Sequence, residues 1–423
     1  MTDIVQHSWL SPRTGWNAGL AVFAIGLITG CSGTGNASGS VSAPPTATVT
    51  PGPIPTPVAT PSPTPVATSS PTMTATQFAA RMVPGWNLGN SLEAIGGAPA
   101  PTTVSQETAW GNPVVSQALL NAVAAAGFKS IRVPVSWKQY ADANDRIGAA
   151  WFDPVAQVVD QARQAGLIVI INVHWDGGWL QPTYADQAAA NARLKTFWTQ
   201  IATRFRDQDD RLLFAGTNEV MVKDNYNAPT AEHCAVQNGF NKVFVDAVRA
   251  TGGGNASRYL IVQGYNTNID HTIACNATLP TDSVVGRMMM EVHYYDPYDF
   301  ALNEKSAIWQ WGAGATDPKA VQAWGNEEGV DAAFRKVKVT FADRGIPVIL
   351  GEYGAIAKTK YDPAGKYRAA WDRYVTRSAV QHGMVPIYWD NGPTGNHTLG
   401  LFDRAAARVV HADIVEAIVQ AAK

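Results

Sequence analysis

Two glutamates in this sequence stand where a pair of carboxylates could perform acid–base and nucleophilic chemistry. Glu219 follows the apolar run LLFAGT and the amide Asn218, and Glu352 follows the run VIL and one glycine. Each run is short and apolar, as in a strand that is buried on both faces. One carboxyl group of such a pair can protonate a leaving oxygen while the other attacks the electron-poor carbon.

Polar and aromatic residues also follow most of the other strand-like runs. Because aromatic rings stack on sugar rings, two carboxylates in a mouth lined by tryptophan suit cleavage of a glycosidic bond. The alternative is that each glutamate pairs with a basic residue as a structural group. The candidate substrate-binding residues are Asn87, Arg132, Trp137, His174, Trp175, Trp179, Asn218, His293, Tyr295 and Trp389.

A metal site is the second interpretation of the same region. His174 and His293 could bind a metal together with Asp176, but the sequence has no HxH or HExxH spacing that would support this. We therefore expect neither a metal nor another cofactor. The composition, with 32 basic and 34 acidic side chains, offers no basic surface of the kind that nucleic-acid binding needs.

The elements that would position these residues alternate between strands and helices. Several predicted helices end at a glycine directly before the next strand, as at Gly127, Gly166, Gly345 and Gly383. Eight such units favour a (β/α)8 barrel, whose active site lies at the strand ends. A doubly wound sheet is the alternative, although no GxGxxG follows an early strand. The predicted strands are 85–88, 130–133, 168–173, 212–214, 259–262, 288–293, 348–350 and 385–389, and residues 297–326 are expected to form a long loop.

The first 73 residues differ in character from the rest. Residues 17–30 are uncharged and mostly apolar, which predicts a signal peptide over 1–30. The following Ile-Thr-Gly-Cys resembles the lipobox of bacterial lipoproteins, so Cys31 is the expected lipidation site; an ordinary signal peptide is the alternative. Residues 31–73, rich in Pro, Thr and Ser, predict an extended linker, and 74–423 form the expected catalytic domain.

Two further cysteines lie in the predicted catalytic domain. An exported chain matures in an oxidising compartment, so Cys234 and Cys275 are expected to form a disulfide. Two unpaired buried thiols remain the alternative, since sequence separation alone does not bring the cysteines together.

Eight segments, in the expected order, resemble glycoside hydrolase family 5, specifically bacterial endo-β-1,4-glucanases. The resemblance implies a (β/α)8 barrel and net retention, with Glu219 as acid/base and Glu352 as nucleophile. It further implies that Asn218 holds the sugar 2-hydroxyl, that Arg132 and Tyr295 bind the nucleophile, and that Trp389 stacks on the sugar beside His174 and His293. The segments are GWNLGNSLEA, ETAWGNP, IRVPVSW, NVHW, Asn218-Glu219, HYYDPY, LGEYG and YWDNG.

The sequence departs from the family pattern around Asn218-Glu219. Ala215 stands where the family usually has an acidic residue, and Val220 where it has a proline. We expect activity because the Asn-Glu pair is intact. An arginine close to Glu352 is expected to lower the pKa of this carboxyl group, whereas Glu219 has to keep a proton near neutral pH.

The resulting prediction is an exported, retaining endo-β-1,4-glucanase that acts on β-glucan polysaccharides. It would be a monomer that is either lipid-anchored in the cell envelope or secreted, with contact to a membrane only through the lipid. An endo-β-mannanase or xyloglucanase of the same family is the near alternative. A non-catalytic carbohydrate-binding barrel and a metal hydrolase are the alternatives from other classes.

Overall fold

The computed structural model of the protein describes residues 73–275 and 277–423. In this part of the chain eight parallel strands, β1–β8, form a closed barrel in sequence order. This confirms the predicted (β/α)8 barrel. The strands are β1 Gly85–Leu88, β2 Ser130–Val133, β3 Ile168–Asn172, β4 Leu212–Ala215, β5 Leu260–Asn268, β6 Met288–Tyr294, β7 Val348–Tyr353 and β8 Met384–Asp390.

The helices are α1 Ala75–Ala79, α2 Gln117–Ala125, α3 Ala149–Gln164, α4 Tyr184–Arg204, α5 Ala231–Ala250, α6 Ile269–Ala274, α7 Tyr298–Ala301, α8 Glu327–Thr340, α9 Lys366–Gln381 and α10 Ala412–Ala421. Helix α1 precedes the first strand, α10 follows the last strand, and the other helices lie in the connections between strands. A short antiparallel pair, β9 Phe402–Asp403 and β10 Arg408–Val409, follows β8. No helix in the described ranges is both long and apolar enough to span a membrane.

Three helices begin well before the point where the apolar spacing starts. Thr183, Thr230 and Asn326 cap α4, α5 and α8, and each side chain accepts a hydrogen bond from the backbone N–H three residues further on. Such caps satisfy a donor that the first helical turn leaves free. The first buried side chains of these helices are Ala190, Val236 and Val330, which lie four to seven residues after the caps, so apolar spacing alone does not locate the helix starts. The predicted helix ends are confirmed at Gly127 and Gly166, which have φ of 112° and 88° after α2 and α3.

The barrel interior has an apolar lower tier and a polar upper tier. Helix α1 closes the lower end, where Phe78 stacks on Tyr259 with ring centroids 4.2 Å apart. Ala215 is fully buried in this apolar tier, among Ile170, Ile261 and other inward side chains. Higher in the barrel the inward side chains of β1, β2, β5 and β6 are polar, and they support the residues at the mouth.

The predictions for the N-terminal segment lie outside the described residues. These are the signal peptide over 1–30, lipidation of Cys31 and, apart from its last residue, the linker over 31–73. Thr74, at the predicted start of the catalytic domain, caps α1.

Candidate active site

The two glutamates meet at the carboxyl ends of the strands. Glu352 lies within β7, and Glu219 lies in the loop after β4. Three atoms lie within 4.8 Å of one another: one carboxylate oxygen of Glu219, one of Glu352 and a ring nitrogen of His293. Two carboxyl groups this close share one small reaction centre. Pairs about 5–5.5 Å apart are typical of retaining glycosidases, and inverting enzymes need a wider gap.

Glu352 is held by hydrogen-bond donors from β2 and from the residue that follows β6. Its Oε1 accepts a hydrogen bond from Arg132 Nη1 at 3.0 Å, and its Oε2 accepts one from the Tyr295 hydroxyl at 3.1 Å. His293 Nδ1 lies 3.7 Å from Oε2. These contacts fix the orientation of a side chain that is only 7% exposed.

The electrostatics of Glu352 differ from the expectation. Burial raises the pKa of this carboxyl group, while His293 and Arg132 lower it and the nearby Glu219 raises it further. The contribution of Arg132 has the predicted sign, but burial outweighs it. The prediction of a net lowered pKa is therefore wrong, because it considered the nearby cation and left out the loss of hydration.

Glu219 has an unusual backbone conformation. Its φ is 47°, in the left-handed region that side chains other than glycine rarely adopt. Conformations of this kind cost on the order of 1–3 kcal/mol and concentrate at functional sites. The next residue, Val220, is buried, and its carbonyl accepts a hydrogen bond from Asn266 N at 2.9 Å. Contacts to β5 thus hold this loop without the proline of the family pattern.

His293 connects the two glutamates. Its Nδ1 lies 2.8 Å from Glu219 Oε1, and its Nε2 lies 3.2 Å from Oε1 of Glu291, a buried residue that sequence reasoning missed. Burial disfavours the imidazolium, but Glu352 and the hydrogen bonds to Glu219 and Glu291 outweigh this and raise the pKa of His293 to about 9. By contrast, burial, Arg132 and His293 hold the pKa of His174 well below its usual value. One histidine is therefore charged and the other neutral near pH 7.

Asn87 and Arg132 lie beneath the residues that line the site. Neither has any exposed surface. The Asn87 side chain donates to Gly351 O at 2.8 Å and accepts from Arg132 Nη1 at 3.0 Å, and Arg132 Nη2 donates to Asn218 Oδ1. Because both side chains are fully buried, neither offers a surface to substrate, which corrects the prediction that Asn87 and Arg132 bind it directly. The expected contact of Arg132 with Glu352 is present, and the two side chains orient Asn218 and Glu352.

The prediction that Trp137 binds substrate is also corrected by burial. The side chain is fully buried, and its Nε1 donates to Asn172 O at 2.8 Å. With no open ring face, it is a core residue and does not form a stacking platform. The sequence could not distinguish these roles because the residue lies just past β2, where the side-chain direction depends on the loop.

The other predicted tryptophans keep exposed surface. Trp389 at the end of β8 faces His174 with ring planes 6° apart and centroids separated by 5.7 Å. Trp175 is part-buried near Gly178. Trp179 is also part-buried, and its Nε1 donates to Asp176 Oδ2 at 2.9 Å. Asp176 also accepts from the backbone N–H of Trp137, so both of its carboxylate oxygens are engaged by donors of the protein.

A disulfide supports the region beside Glu219. Cys234 in α5 is bonded to Cys275, which directly follows α6, with Cα atoms 5.0 Å apart. The pair packs against Met221 and Tyr265, and the Tyr265 hydroxyl accepts a hydrogen bond from Val222 N at 3.1 Å. The bond therefore braces the loop that carries the proposed acid/base.

The barrel and the two facing carboxylates at its mouth define a glycoside hydrolase. Comparisons with known proteins agree. The family model for cellulases, glycosyl hydrolase family 5, matches residues 95–395. This chain therefore belongs to glycosyl hydrolase family 5.

Individual relatives cover most of the described chain. Endoglucanase A of Paenibacillus barcinonensis is 41% identical over 81% of this chain and 89% of its own length. A xyloglucan-specific endo-β-1,4-glucanase of Bacteroides ovatus is 43% identical over 81% of this chain and 69% of its own. The structure of a family 5 xyloglucanase from Paenibacillus pabuli superposes with a TM-score of 0.77 at 43% identity, covering 82% of this chain and all of that one.

Proposed function

We propose that this protein is a retaining endo-β-1,4-glucanase with Glu352 as nucleophile and Glu219 as general acid/base. The observation that carries the proposal is the short distance between the two carboxylates, within 4.8 Å between one oxygen of each. This spacing leaves no room for the water that an inverting enzyme places between its carboxyl groups and the sugar. The similarity to endoglucanases supports the bond type.

The reaction would proceed in two displacements. Glu219 gives its proton to the glycosidic oxygen while Glu352 attacks the anomeric carbon, so that the leaving sugar departs as a neutral alcohol. Glu219, now ionised, takes a proton from water, which attacks the same carbon and releases Glu352 as a carboxylate. Protonated His293 donates to Glu219 and lies near Glu352, so it stabilises whichever carboxylate is ionised.

Residues of the mouth would hold the sugar. Asn218 is the proposed partner of the 2-hydroxyl, since Arg132 occupies its carbonyl oxygen and leaves the amide N–H groups as donors. Trp389 offers a partly exposed ring face for stacking, and His174 lies on the same side. Trp175 and Trp179 are proposed platforms further along the groove.

Release of reducing ends from polysaccharides tests the activity. Wild type, Glu352→Ala and Glu219→Ala would be compared on carboxymethyl cellulose, barley β-glucan, xyloglucan and mannan. Glu328→Gln is a matched control, because Glu328 is an exposed glutamate of α8. We expect release from glucans that is lost in both alanine variants and kept in the control. Retained activity in Glu352→Ala would refute the assignment, and release from mannan alone would favour the mannanase alternative.

A dinitrophenyl cellobioside separates the two roles. Its leaving group needs no protonation, so Glu219→Ala should still form the glycosyl-enzyme at an appreciable rate, whereas Glu352→Ala should not. A burst of dinitrophenolate in Glu219→Ala followed by slow turnover is the expected result. Equal loss in both variants would contradict the assignment of acid/base to Glu219.

Xyloglucan is the second candidate substrate. The observation in its favour is the 43% identity to two xyloglucanases, which is slightly above the 41% identity to the endoglucanase. Comparison of kcat/KM on xyloglucan and on unbranched β-glucan decides between them. A ratio above about tenfold for xyloglucan would identify it as the preferred polymer.

We also propose that the chain is exported and held at the cell envelope through lipid on Cys31, with residues 31–73 as spacer before a catalytic domain over 74–423. The support is the apolar run 17–30 followed by the lipobox-like Ile-Thr-Gly-Cys. Expression of wild type and Cys31→Ser in a bacterial host tests this. Wild type should sediment with membranes and the variant should not; equal sedimentation would refute lipidation.

A further inference from the structure

A third carboxylate lies beneath the catalytic pair. Glu291 points into the barrel from β6, two residues before His293, and has no exposed surface. Its Oε1 lies 3.0 Å from Arg132 Nε and 3.2 Å from His293 Nε2, and its Oε2 accepts a hydrogen bond from Gln263 Nε2 at 2.9 Å. Both oxygens therefore have partners, and two of the three partners also contact the catalytic residues.

The neighbouring strand is shaped to admit this carboxylate. On β7, Gly351 lies beside Glu291, and a Cβ atom at this position would be 2.0 Å from Glu291 Oε1. The Gly351 carbonyl is itself held by Asn87 at 2.8 Å. On the other side Gln263 is fixed by the Thr217 hydroxyl, which donates to its Oε1 at 3.2 Å. Such fully partnered packing marks a site in which the position of the group is closely defined.

Glu291 contacts two cationic side chains, Arg132 and His293. Each of them also contacts one of the catalytic carboxylates through a different nitrogen atom. The Nη1 of Arg132 is 3.0 Å from Glu352 Oε1, and the Nδ1 of His293 is 2.8 Å from Glu219 Oε1. We propose that Glu291 is a positioning residue, which holds Arg132 and His293 from below so that they face Glu352 and Glu219. The proposal rests on the catalytic roles proposed above for these two glutamates.

Charge balance supports this role. The charged and titratable groups around Glu291 are Arg132 and His293 in direct contact, with Glu352, Glu219 and His174 above them. Burial opposes ionisation of Glu291, but Arg132 and His293 outweigh it and hold its pKa below the usual value. The Glu291 carboxylate thus offsets one of two buried positive charges. Without it, either His293 loses its proton or a buried charge is left uncompensated, which is costly.

The test is Glu291→Gln, which keeps the shape and removes the charge. The matched control is Asp282→Asn, because the Asp282 carboxylate is only 3% exposed and pairs with Arg249 Nη2 at 2.8 Å, in the loop before β6 at the end of the barrel opposite the mouth. Residues that orient the ligands of metal sites from behind contribute about 10–100-fold to activity, and we expect an effect of that order for Glu291. We expect kcat on barley β-glucan to fall about tenfold or more in Glu291→Gln with KM changed less than about threefold. The control should stay within about twofold of wild type.

A second readout follows the charge itself. In protein labelled with 15N-histidine, the ring nitrogens of His293 would be titrated by NMR and assigned with His293→Gln. In wild type His293 should carry both ring protons at pH 7, and in Glu291→Gln its titration should move down by about one pH unit or more. A structural effect alone would lower activity without this displacement.

Several outcomes would overturn the proposal. These are unchanged kcat in a folded Glu291→Gln variant, or a His293 titration that does not move. If this variant does not fold, the wild-type spectrum decides, since a His293 with a single ring proton at pH 7 is incompatible with the proposal. Failure of the proposed function would appear differently, as a wild type that releases no sugar from any glucan.

Discussion

Removal of one hydroxyl group from the nucleophile should move the pH dependence of catalysis. Tyr295 donates to Glu352 Oε2 at 3.1 Å, and Tyr295→Phe deletes this donor with little change in volume. The bond stabilises the ionised carboxylate, so its loss raises the pKa of Glu352, and the acidic limb of kcat/KM moves to higher pH. Hydrogen bonds to charged groups contribute about 1.5–3 kcal/mol, equivalent to about one to two pKa units. Because Tyr295 is partly exposed, water replaces part of the lost stabilisation. We therefore expect the pKa of Glu352 to rise by about one unit.

The assay is kcat/KM for a soluble cellooligosaccharide between about pH 3.5 and 8, which reports the groups of the free enzyme. Tyr294→Phe is the matched control. Tyr294 is the adjacent residue, but its ring packs outside the barrel, against Phe334 at 5.0 Å between centroids. The control should keep the wild-type acidic limb. An acidic limb in Tyr295→Phe that is unchanged, or displaced to lower pH, would refute the role given to this hydrogen bond.

Three other perturbations give distinct results. Replacement of Cys234 and Cys275 by alanine opens a crosslink of sequence separation 41 and should lower the free energy of unfolding by about 4 kcal/mol, measured by urea denaturation; an unchanged midpoint would contradict this. Trp137→Phe removes the buried hydrogen bond to Asn172 and should lower the free energy of unfolding by about 1–3 kcal/mol. Because the ring is buried, kcat/KM should stay within about twofold of wild type. A raised KM would instead support the prediction that Trp137 stacks on substrate. Trp389→Ala should instead reduce kcat/KM about two- to tenfold, from a stacking contribution of about 0.5–1.5 kcal/mol, with a nearly unchanged melting temperature.

Strand positions were largely predictable from the sequence, and strand ends were not. All eight strand centres were identified because a strand buried on both faces is a continuous apolar run. Strand β7 was predicted to stop at Leu350, since Gly351 and Glu352 break the apolar pattern, yet it continues to Tyr353. Gly351 is where Glu291 enters, and Glu352 is the proposed nucleophile. The strand therefore continues through these two residues, which belong to the active site, although they break the apolar pattern.

The identity of the site residues was determined by the sequence, because their types and order along the chain are enough to recognise the family. Which of them meet substrate was decided by the tertiary structure. Burial turned Trp137 into a core residue, and burial together with hydrogen bonding placed Asn87 and Arg132 behind the surface. The direction of a side chain depends on the backbone of the strand or loop that carries it, which residue type does not reveal.

The electrostatic state of the site likewise required the fold. The sequence shows Glu291 as one charge within the run MMMEVH, with no indication that the inward face of β6 places it below Arg132 and His293. It also shows an arginine and a glutamate that could pair, but not that burial would raise the pKa of Glu352 despite that pairing. Charge interactions depend on distance and solvation, and both arise only when strands far apart in sequence close into one barrel.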